Sequence, residues 1–138
     1  MDKILFRALG ISGMKDGDWC YGHYYKHPHL HYGTIQQIED GLPCAVNEKT
    51  LGQFIGLVDV NKKEVFDGDI LSVKLPDTSH WKGETIMGVV EYDNVACSFV
   101  INQWNKGNGA WHYHYFNEDF TITVIGNIYE NSKILKNT

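Results

Sequence analysis

The sequence predicts a mainly β protein with a small β-barrel-like core of short antiparallel strands, SH3-like in size, an N-terminal hairpin region and a short C-terminal helix. The stretch 51–74 contains two apolar runs separated by a polar turn, then Asp67-Gly68-Asp69 and a third apolar run. Apolar segments bounded by glycine and aspartate recur about every 8 to 12 residues, as they do in small sandwiches and barrels. Because no long segment has a helical apolar period, helices are a minor part of the prediction.

Length and composition favour one globular domain. A chain of 138 residues buries roughly two thirds of its unfolded surface, so it needs no metal or disulfide to stabilise its core, and we expect no cofactor. Hydrophobic residues make up 43% and charged residues 21%, as in globular proteins. We expect a single domain over 1–138, subdivided into an N-terminal β-hairpin region at 1–50 and a barrel core at 51–138.

Charge and cysteine content favour a cytoplasmic protein. The net charge of −5 argues against binding by phosphate neutralisation, which needs clustered Lys and Arg. Cys20, Cys44 and Cys97 are an odd number of widely spaced cysteines, which favours a reducing compartment. No stretch approaches the roughly 20 apolar residues of a membrane span, and the apolar part of 1–7 is too short for a signal peptide. We therefore expect no membrane association.

Alternating apolar and polar residues, interrupted by turn signals, predict the strands of the first half of the chain. Pro28 lacks a backbone donor, so we place it in the bend of a hairpin near 26–29. Strands are predicted at 3–9, 19–26 and 30–38, with turns at 16–18 and 39–43 and a lead into the stretch 51–74 at 46–51.

The second half of the chain is also predicted to form strands joined by turns, and it ends in a short helix. Asn127 and Glu130 have the spacing of a capping box, which predicts a short helix over 128–135. Strands are predicted at 85–92, 96–103, 110–116 and 120–125, with a polar loop at 76–84 and a loop tip at 105–109.

Five segments carry a resemblance to a known family. They are Phe6-Arg7-Ala8, Trp19-Cys20-Tyr21-Gly22, the run 52–57 with Asp59, Phe66-Asp67-Gly68-Asp69-Ile70, and the closing run 124–131. In order and spacing they resemble the YopX family of phages and prophages over nearly the whole chain. The residues that form this signature are Gly52, Gln53, Gly56, Leu57, Asp67, Gly68, Asp69, Ile70, Gly126, Asn127, Tyr129 and Glu130.

The resemblance implies a small, mostly β protein encoded by phages and prophages of Gram-positive bacteria, located in the cytoplasm of the bacterial host. The family has no established biochemical activity, so no catalytic residues carry over to this chain. Leu9, Ile55 and the turn 61–63 depart from the family pattern, which affects the expected local turn geometry.

His27, His29 and His31 are weak candidates for a metal site. They alternate, so in an extended strand they share one face, and His23 lies four residues upstream. Three imidazoles can hold zinc and leave a fourth position for an activated water. Successive same-face residues are about 7 Å apart, so the three converge only if Pro28 bends the strand. The alternative, which we favour, is a solvated hairpin tip.

Asp67 and Asp69, with Asp59 and Glu64 in the same stretch, form a second candidate. Paired carboxylates bind hard cations or act as an acid and a base. The structural alternative is that Asp67-Gly68 is a turn and that Asp69 begins a strand. We favour this alternative, because the sequence lacks the further oxygen donors of a calcium loop.

Trp111, Tyr113 and Tyr115 form a candidate binding surface, since alternation places them on one face of a strand. Exposed aromatic rings on a sheet can stack on nucleobases. Equally, an aromatic face can pack in a core, and the scattered basic residues do not form a groove. We therefore do not favour nucleic-acid binding.

The sequence contains no nucleophile elbow and no phosphate-binding glycine loop, so we expect no enzymatic activity. Our leading hypothesis is a phage or prophage accessory protein that binds an unknown host or phage protein, with homo-oligomerisation as an open alternative for its partner. A nucleic-acid-binding β-barrel and a histidine-ligated metal-dependent hydrolase are the alternative hypotheses.

Overall fold

In this computed structural model, residues 3–78, 81–105 and 110–136 are described. Within them the chain forms eleven β-strands, two 3-10 turns and one short α-helix. All the strand pairs that define the two sheets are antiparallel, and this confirms the predicted mainly β class. The chain divides into two compact units, Met1–Gly56 and Leu57–Thr138.

The first unit contains a sheet whose strands lie in the order β4-β3-β2-β1-β5. Each strand pairs with its neighbour through local hairpins, except that β5 returns to the free side of β1. The strands are β1 (Phe6–Leu9), β2 (Trp19–Tyr25), β3 (Gly33–Gln37), β4 (Pro43–Val46) and β5 (Gly52–Val58), and 3-10 turns occur at Gly13–Lys15 and Glu48–Thr50.

The continuation of β1 lies between β2 and β4. The amide of Gly10 donates to the carbonyl of Asp18 at 2.8 Å, and the amide of Ile11 donates to the carbonyl of Ala45 at 3.0 Å. Inward-facing small and branched side chains fill the space that these strands surround. This core consists of Ala8, Cys20, Ile35, Cys44 and Val46.

The second unit contains a five-stranded sheet in the order β10-β9-β8-β7-β11. Strand β5 ends in this unit and is followed by β6. Leu71, Val73, Ile86, Val90 and Ile101 form the apolar interior of the sheet. The elements are β6 (Glu64–Phe66), β7 (Asp69–Lys74), β8 (Thr85–Asp93), β9 (Ser98–Asn105), β10 (Ala110–Tyr115), β11 (Thr121–Asn127) and the helix α1 (Lys133–Lys136).

Barrel-like closure was expected, and the described strands instead form two sheets with linear strand orders. A barrel requires its first and last strands to pair. In the second sheet the last strand, β11, pairs with β7, and β10 lies at the other end of the order. The mainly β class was therefore predicted correctly, and the closure was an addition that these pairings do not provide.

The C-terminal helix is shorter than predicted and begins later. Asn127 Oδ1 accepts hydrogen bonds from the amides of Tyr129 and Glu130, each at 3.0 Å, which forms a turn over 128–130. Glu130 bonds to the side-chain nitrogen of Asn127 at 3.2 Å, and the backbone amide of Asn127 donates to Asn131 Oδ1 instead. Asn131 thus accepts the hydrogen bond that a capping box assigns to Glu130, and the helix begins at Lys133. No helix in the described residues has the length and apolar character that a bilayer crossing requires.

Candidate functional site

The alternating histidines lie in the loop between β2 and β3, not in a strand. His27, His29 and His31 are exposed, and so is His23 in β2. His27 Nδ1 accepts a hydrogen bond from the backbone amide of His29 at 3.3 Å, and the two ring centroids are 5.5 Å apart. In the described ranges, no three His, Cys, Asp or Glu side chains are arranged to hold a metal. Metal binding at the loop stays a prediction.

The structure brings the acidic candidates next to the C-terminal signature residues. Strand β7 pairs with β11, which places Asp69 opposite Asn127 and Ile70 opposite Gly126. Asp69 is buried, and its Oδ2 accepts a hydrogen bond from the amide of Phe66 at 2.8 Å. The carboxylate therefore holds the turn that begins β7, as the structural interpretation of the sequence requires.

Gly68 occupies the turn between β6 and β7 with φ of 92°, a conformation that L side chains rarely adopt. Its amide donates to the carbonyl of Val90, and its carbonyl accepts from the amide of Ile128, both at 2.9 Å. A Cβ at Gly68 would lie 3.0 Å from the ring of Tyr129. Of the other signature residues, Asp67 is half-buried in this turn, Glu130 bonds to Asn127, and Gly52, Gln53, Gly56 and Leu57 lie in β5.

The aromatic candidates lie in β10. Tyr115 is paired with Val100 of β9, and its side chain is 66% exposed. The side chains of Trp111 and Tyr113 lie outside the described part of the structure. The use of these three residues as a binding surface stays a prediction.

A concave surface in the first unit was not predicted from the sequence. A cavity of about 350 Å³ lies between the 3-10 turn and the β3–β4 hairpin. Residues 12–15 form one wall, residues 42–45 form the other, and Gln37 and Asp40 complete the lining. Two large apolar side chains border it and are exposed, since Met14 is 98% and Leu42 is 60% accessible to solvent. We refer to these two residues and the cavity between them as the Met14–Leu42 surface.

Local hydrogen bonds hold both walls in place. On the 3-10 side, Gly13 has φ of 65° and its carbonyl accepts from the amide of Asp16 at 3.3 Å. On the hairpin side, Asp40 Oδ1 accepts from the amide of Leu42 at 2.9 Å, and the carbonyl of Leu42 accepts from the amide of Gln37 at 3.1 Å. These hydrogen bonds therefore hold the backbone of Leu42 in place. Met14 lies in the short 3-10 turn Gly13–Lys15.

The electrostatics of the Met14–Leu42 surface are close to balanced. Lys15 and Asp40 supply one charge of each sign to the lining, and the other lining residues carry no formal charge. Phosphate recognition relies on clustered cations, and this lining does not supply them. The arrangement of apolar rim and neutral interior instead suits an apolar side chain.

The second unit has a concavity of about 400 Å³ on its sheet. Polar and apolar residues alternate in its lining, which includes Ser72, Glu84, Met87, Trp104 and Ile125. Nearby, Gln103 Oε1 and His114 Nε2 are hydrogen-bonded at 2.6 Å. Of these lining side chains only Ile125 belongs to the strongly exposed large hydrophobic residues, so this surface offers less apolar area than the first.

The sequence gives a weak signal for the Met14–Leu42 surface. Met14 follows Ser12-Gly13, and Leu42 follows Asp40-Gly41, so each is a large apolar residue placed directly after a turn signal. That combination indicates an apolar side chain that the turn holds at the surface. Only the fold shows that the two turns face the same cavity.

A comparison with family models supports the resemblance noted in the sequence. The model described as YopX protein matches residues 9–136 of the chain. No curated protein matches the chain.

Proposed function

Because this chain belongs to the YopX protein family, we propose that it is a phage or prophage accessory protein that acts by binding another protein and catalyses no reaction. Its place of action is the cytoplasm of the bacterial host. The free thiols of Cys20, Cys44 and Cys97 support that compartment, since secreted proteins usually oxidise their cysteines in pairs.

The Met14–Leu42 surface is the observation that carries this proposal. Met14 and Leu42 expose apolar surface on both sides of a cavity, and exposed apolar groups around a concave surface are a feature of protein-binding sites. Burying an apolar side chain of this size contributes about 1.5–3 kcal/mol, which helps to offset the entropic cost of association. Methionine also adapts its shape to different partners at binding surfaces.

The chemistry of the surface favours a protein as the partner. A protein segment that inserts an apolar side chain between Met14 and Leu42 leaves Lys15 and Asp40 at the rim, where each can pair with an opposite charge. The net charge of −5 and the balanced lining oppose a nucleic-acid backbone. The partner is therefore a host or phage protein that presents an apolar anchor with polar residues on both sides.

The chemistry of the buried thiols supports a function without catalysis. Burial, and then a hydrogen bond to Cys44, raise the pKa of Cys20 to about 12. The thiolate is the nucleophilic form of cysteine, so Cys20 is a poor nucleophile at neutral pH.

Affinity capture from the lysate of a strain that expresses the chain tests this proposal. The tagged wild-type chain is compared with the double variant Met14→Asp plus Leu42→Asp, and with Val95→Asp as the control. Val95 lies between β8 and β9 and is 94% exposed, so the control places the same charge on an equally exposed apolar residue. We expect one protein to be retained by the wild type and by Val95→Asp, with its Kd raised at least tenfold in the double variant.

Equal retention by all three chains would overturn the role of the surface. Turnover of a nucleotide or nucleic acid by the purified chain, without a retained protein, would overturn the function itself. Sedimentation velocity of the purified chain tests whether the chain binds a second copy of itself. If the retained protein is a second copy of the chain, the wild type self-associates and the double variant sediments as a monomer.

A further inference from the structure

The outer edge of β4, on the side away from β3, is only partly covered by the chain. The carbonyl of Ala45 accepts a hydrogen bond from the amide of Ile11 at 3.0 Å, next to an antiparallel bridge between Gly10 and Val46. Beyond Ile11 the chain leaves this edge and enters the 3-10 turn Gly13–Lys15. Within the described residues, the N-terminal part of β4 therefore has no further strand beside it on this edge.

The pairing with β3 determines which backbone groups of β4 face the outer edge. In an antiparallel pair, alternate residues bond to the partner strand, and the residues between them direct their N–H and C=O groups away from it. The carbonyl of Leu42 accepts from the amide of Gln37 at 3.1 Å, so Leu42 and every second residue after it face β3. Pro43 and Ala45 therefore face the outer edge, in agreement with the bond from Ile11 to Ala45. Proline is tolerated at such a position, because no ladder hydrogen bond needs its missing N–H group.

The Pro43 carbonyl and the Ala45 amide are an open acceptor and an open donor in the wall of the cavity. Both residues line the 350 Å³ cavity, and Pro43 is exposed while Ala45 is half-buried. In the part of the chain that the structure describes, no backbone hydrogen bond from the Ala45 amide or to the Pro43 carbonyl is formed on this edge. Open groups at the edge of a sheet are a template for pairing with a further extended segment.

We propose that the partner protein binds through an extended segment that pairs with β4 at Pro43–Ala45 and inserts one apolar side chain between Met14 and Leu42. The backbone of this segment donates to the Pro43 carbonyl and accepts from the Ala45 amide. The cavity has the volume of roughly ten water molecules at about 30 Å³ each, which accommodates one side chain and a short length of main chain. This inference rests on the proposed protein-binding function and adds to it the conformation of the bound segment.

The two kinds of contact have different consequences for the sequence of the bound segment. Main-chain hydrogen bonds to a sheet edge contribute affinity, and the pockets for alternate side chains determine specificity. Because successive side chains of a strand point to opposite faces, the neighbours of the apolar residue point away from the cavity. We therefore expect bound segments to share one apolar residue between variable neighbours, and to have no proline at the position that donates to Pro43.

The probe is a library of random dodecapeptides displayed on phage. The library is depleted on the double variant Met14→Asp plus Leu42→Asp and then selected on the wild-type chain, and the most enriched peptide is synthesised. Its Kd is measured for the wild type and for Val95→Asp, which changes an exposed residue far from β4 in sequence and should leave the Kd unchanged. We expect the double variant to raise the Kd at least about tenfold, as the loss of an apolar contact of more than about 1.4 kcal/mol would.

Amide hydrogen exchange, followed residue by residue by NMR, tests the backbone pairing in the wild-type chain. In the free chain the Ala45 amide should exchange faster than the Val46 amide, because Val46 pairs with Gly33 of β3. With the peptide bound, exchange at Ala45 should slow by at least about tenfold, because its amide then has an acceptor. A peptide held only by its side chain would leave the exchange at Ala45 unchanged.

N-methylation of the peptide, one amide at a time, is the matched test on the other side of the interface. Methylation of the amide that donates to Pro43 should raise the Kd about tenfold, whereas methylation of the adjacent amides, which point away from β4, should leave it unchanged. Equal effects at adjacent positions would exclude a paired strand.

The inference is overturned if the peptide binds without slowing exchange at Ala45, or if no peptide distinguishes the wild type from the double variant. The proposed function still stands in both cases when the wild type retains a protein from the lysate that the double variant loses, because a folded surface can then occupy the cavity. Slowed exchange at Ala45 with the peptide, together with no protein retained from the lysate, would support the strand-pairing site and overturn the proposed function.

Discussion

Asp59 Oδ2 accepts a hydrogen bond from the backbone amide of Val124 at 2.9 Å, although the two residues are 65 positions apart. The other carboxylate oxygen accepts from the amides of Asn61 at 2.8 Å and Lys63 at 2.9 Å. One buried side chain therefore closes the turn after β5 and attaches that turn to β11. Next to it, the amide of Val60 donates to the carbonyl of Ile122 at 3.1 Å. The turn therefore both accepts a hydrogen bond from β11 and donates one to it. Strand β11 lies at the end of its sheet.

Replacement of Asp59 by Asn should lower the free energy of unfolding by about 2 kcal/mol. The Asn oxygen can still accept from Asn61 and Lys63, but its NH₂ group then faces the amide of Val124, and a partly buried donor loses its acceptor. Urea unfolding measures the change. Glu118→Gln, which removes one exposed negative charge from the same unit, is the control and should change stability by less than about 0.5 kcal/mol. Equal stability of the two variants would show that the Val124 hydrogen bond contributes nothing.

The contribution of Asp59 should also depend on pH. Burial alone would raise the pKa of this carboxyl, but the three backbone amides outweigh it and hold the pKa below its usual range. Because the folded pKa is below the unfolded one, the stabilisation is complete above about pH 4 and is lost as the pH falls through the folded pKa. We expect the stability difference between the wild type and Asp59→Asn to be constant near neutral pH and to shrink in acid. A difference that is unchanged in acid would contradict the assigned pKa direction.

Tyr24 should give the opposite pH dependence in alkali. Its hydroxyl donates to Glu48 Oε2 at 2.7 Å, and Lys26 Nζ donates to Glu48 Oε1 at 2.7 Å. Burial, and then the hydrogen bond and charge of Glu48, raise the pKa of Tyr24 to about 12. Its contribution is therefore complete below the unfolded pKa of about 10 and is lost as the pH rises toward 12.

The comparison of wild type with Tyr24→Phe measures this contribution by unfolding at a series of alkaline pH values. The stability difference should vanish as the pH approaches 12, and absorbance titration should show one phenolate fewer among the late-ionising tyrosines. Tyr32→Phe removes an exposed phenol from the β2–β3 loop and serves as the control. If Tyr32→Phe removes the same late-ionising group, the assignment to Tyr24 is wrong.

Gly68→Ala should destabilise the chain more than Gly83→Ala, although both positions have positive φ. Gly83 has φ of 69°, and its nearest neighbour to an added Cβ, in Asp77, is 3.6 Å away, so its substitution costs only the left-handed strain of about 1 kcal/mol. At Gly68 the added Cβ also meets the Tyr129 ring at 3.0 Å, which adds about another 1 kcal/mol. In a Tyr129→Ala background the two glycine substitutions should have equal effects. Persistence of the difference in that background would exclude the ring contact as its cause.

Local patterns predicted the elements that depend on neighbouring residues. The alternation in 19–26 and 85–92 identified β2 and β8, because side chains on opposite faces of a strand follow directly from the pleat. Strand β4 was missed, since Pro43 and the preceding turn mask a pattern only four residues long. Its extended form depends on pairing with β3, where Gly33 lies opposite Val46.

Sequence patterns could not predict the Met14–Leu42 surface, for a related reason. Met14 and Leu42 each follow a turn signal, and nothing in their local sequence relates one turn to the other. The hydrogen bond from Ile11 to Ala45 brings the two segments together. The same distinction applies to the thiols, because the sequence shows Cys20 and Cys44 as separate small residues and the fold places them in one core cluster.

By itself, the sequence determined the β class, most of the strands, the turn at Asp67-Gly68-Asp69 and the family, because each of these depends on residue types at short, fixed spacings. The tertiary structure alone decided that the described sheets have open strand orders, that Asp59 accepts a hydrogen bond from Val124, and that Met14 and Leu42 border one cavity. These features are contacts between distant segments. Their geometry is set by how strands pair and pack, and the local pattern of residues does not contain that information.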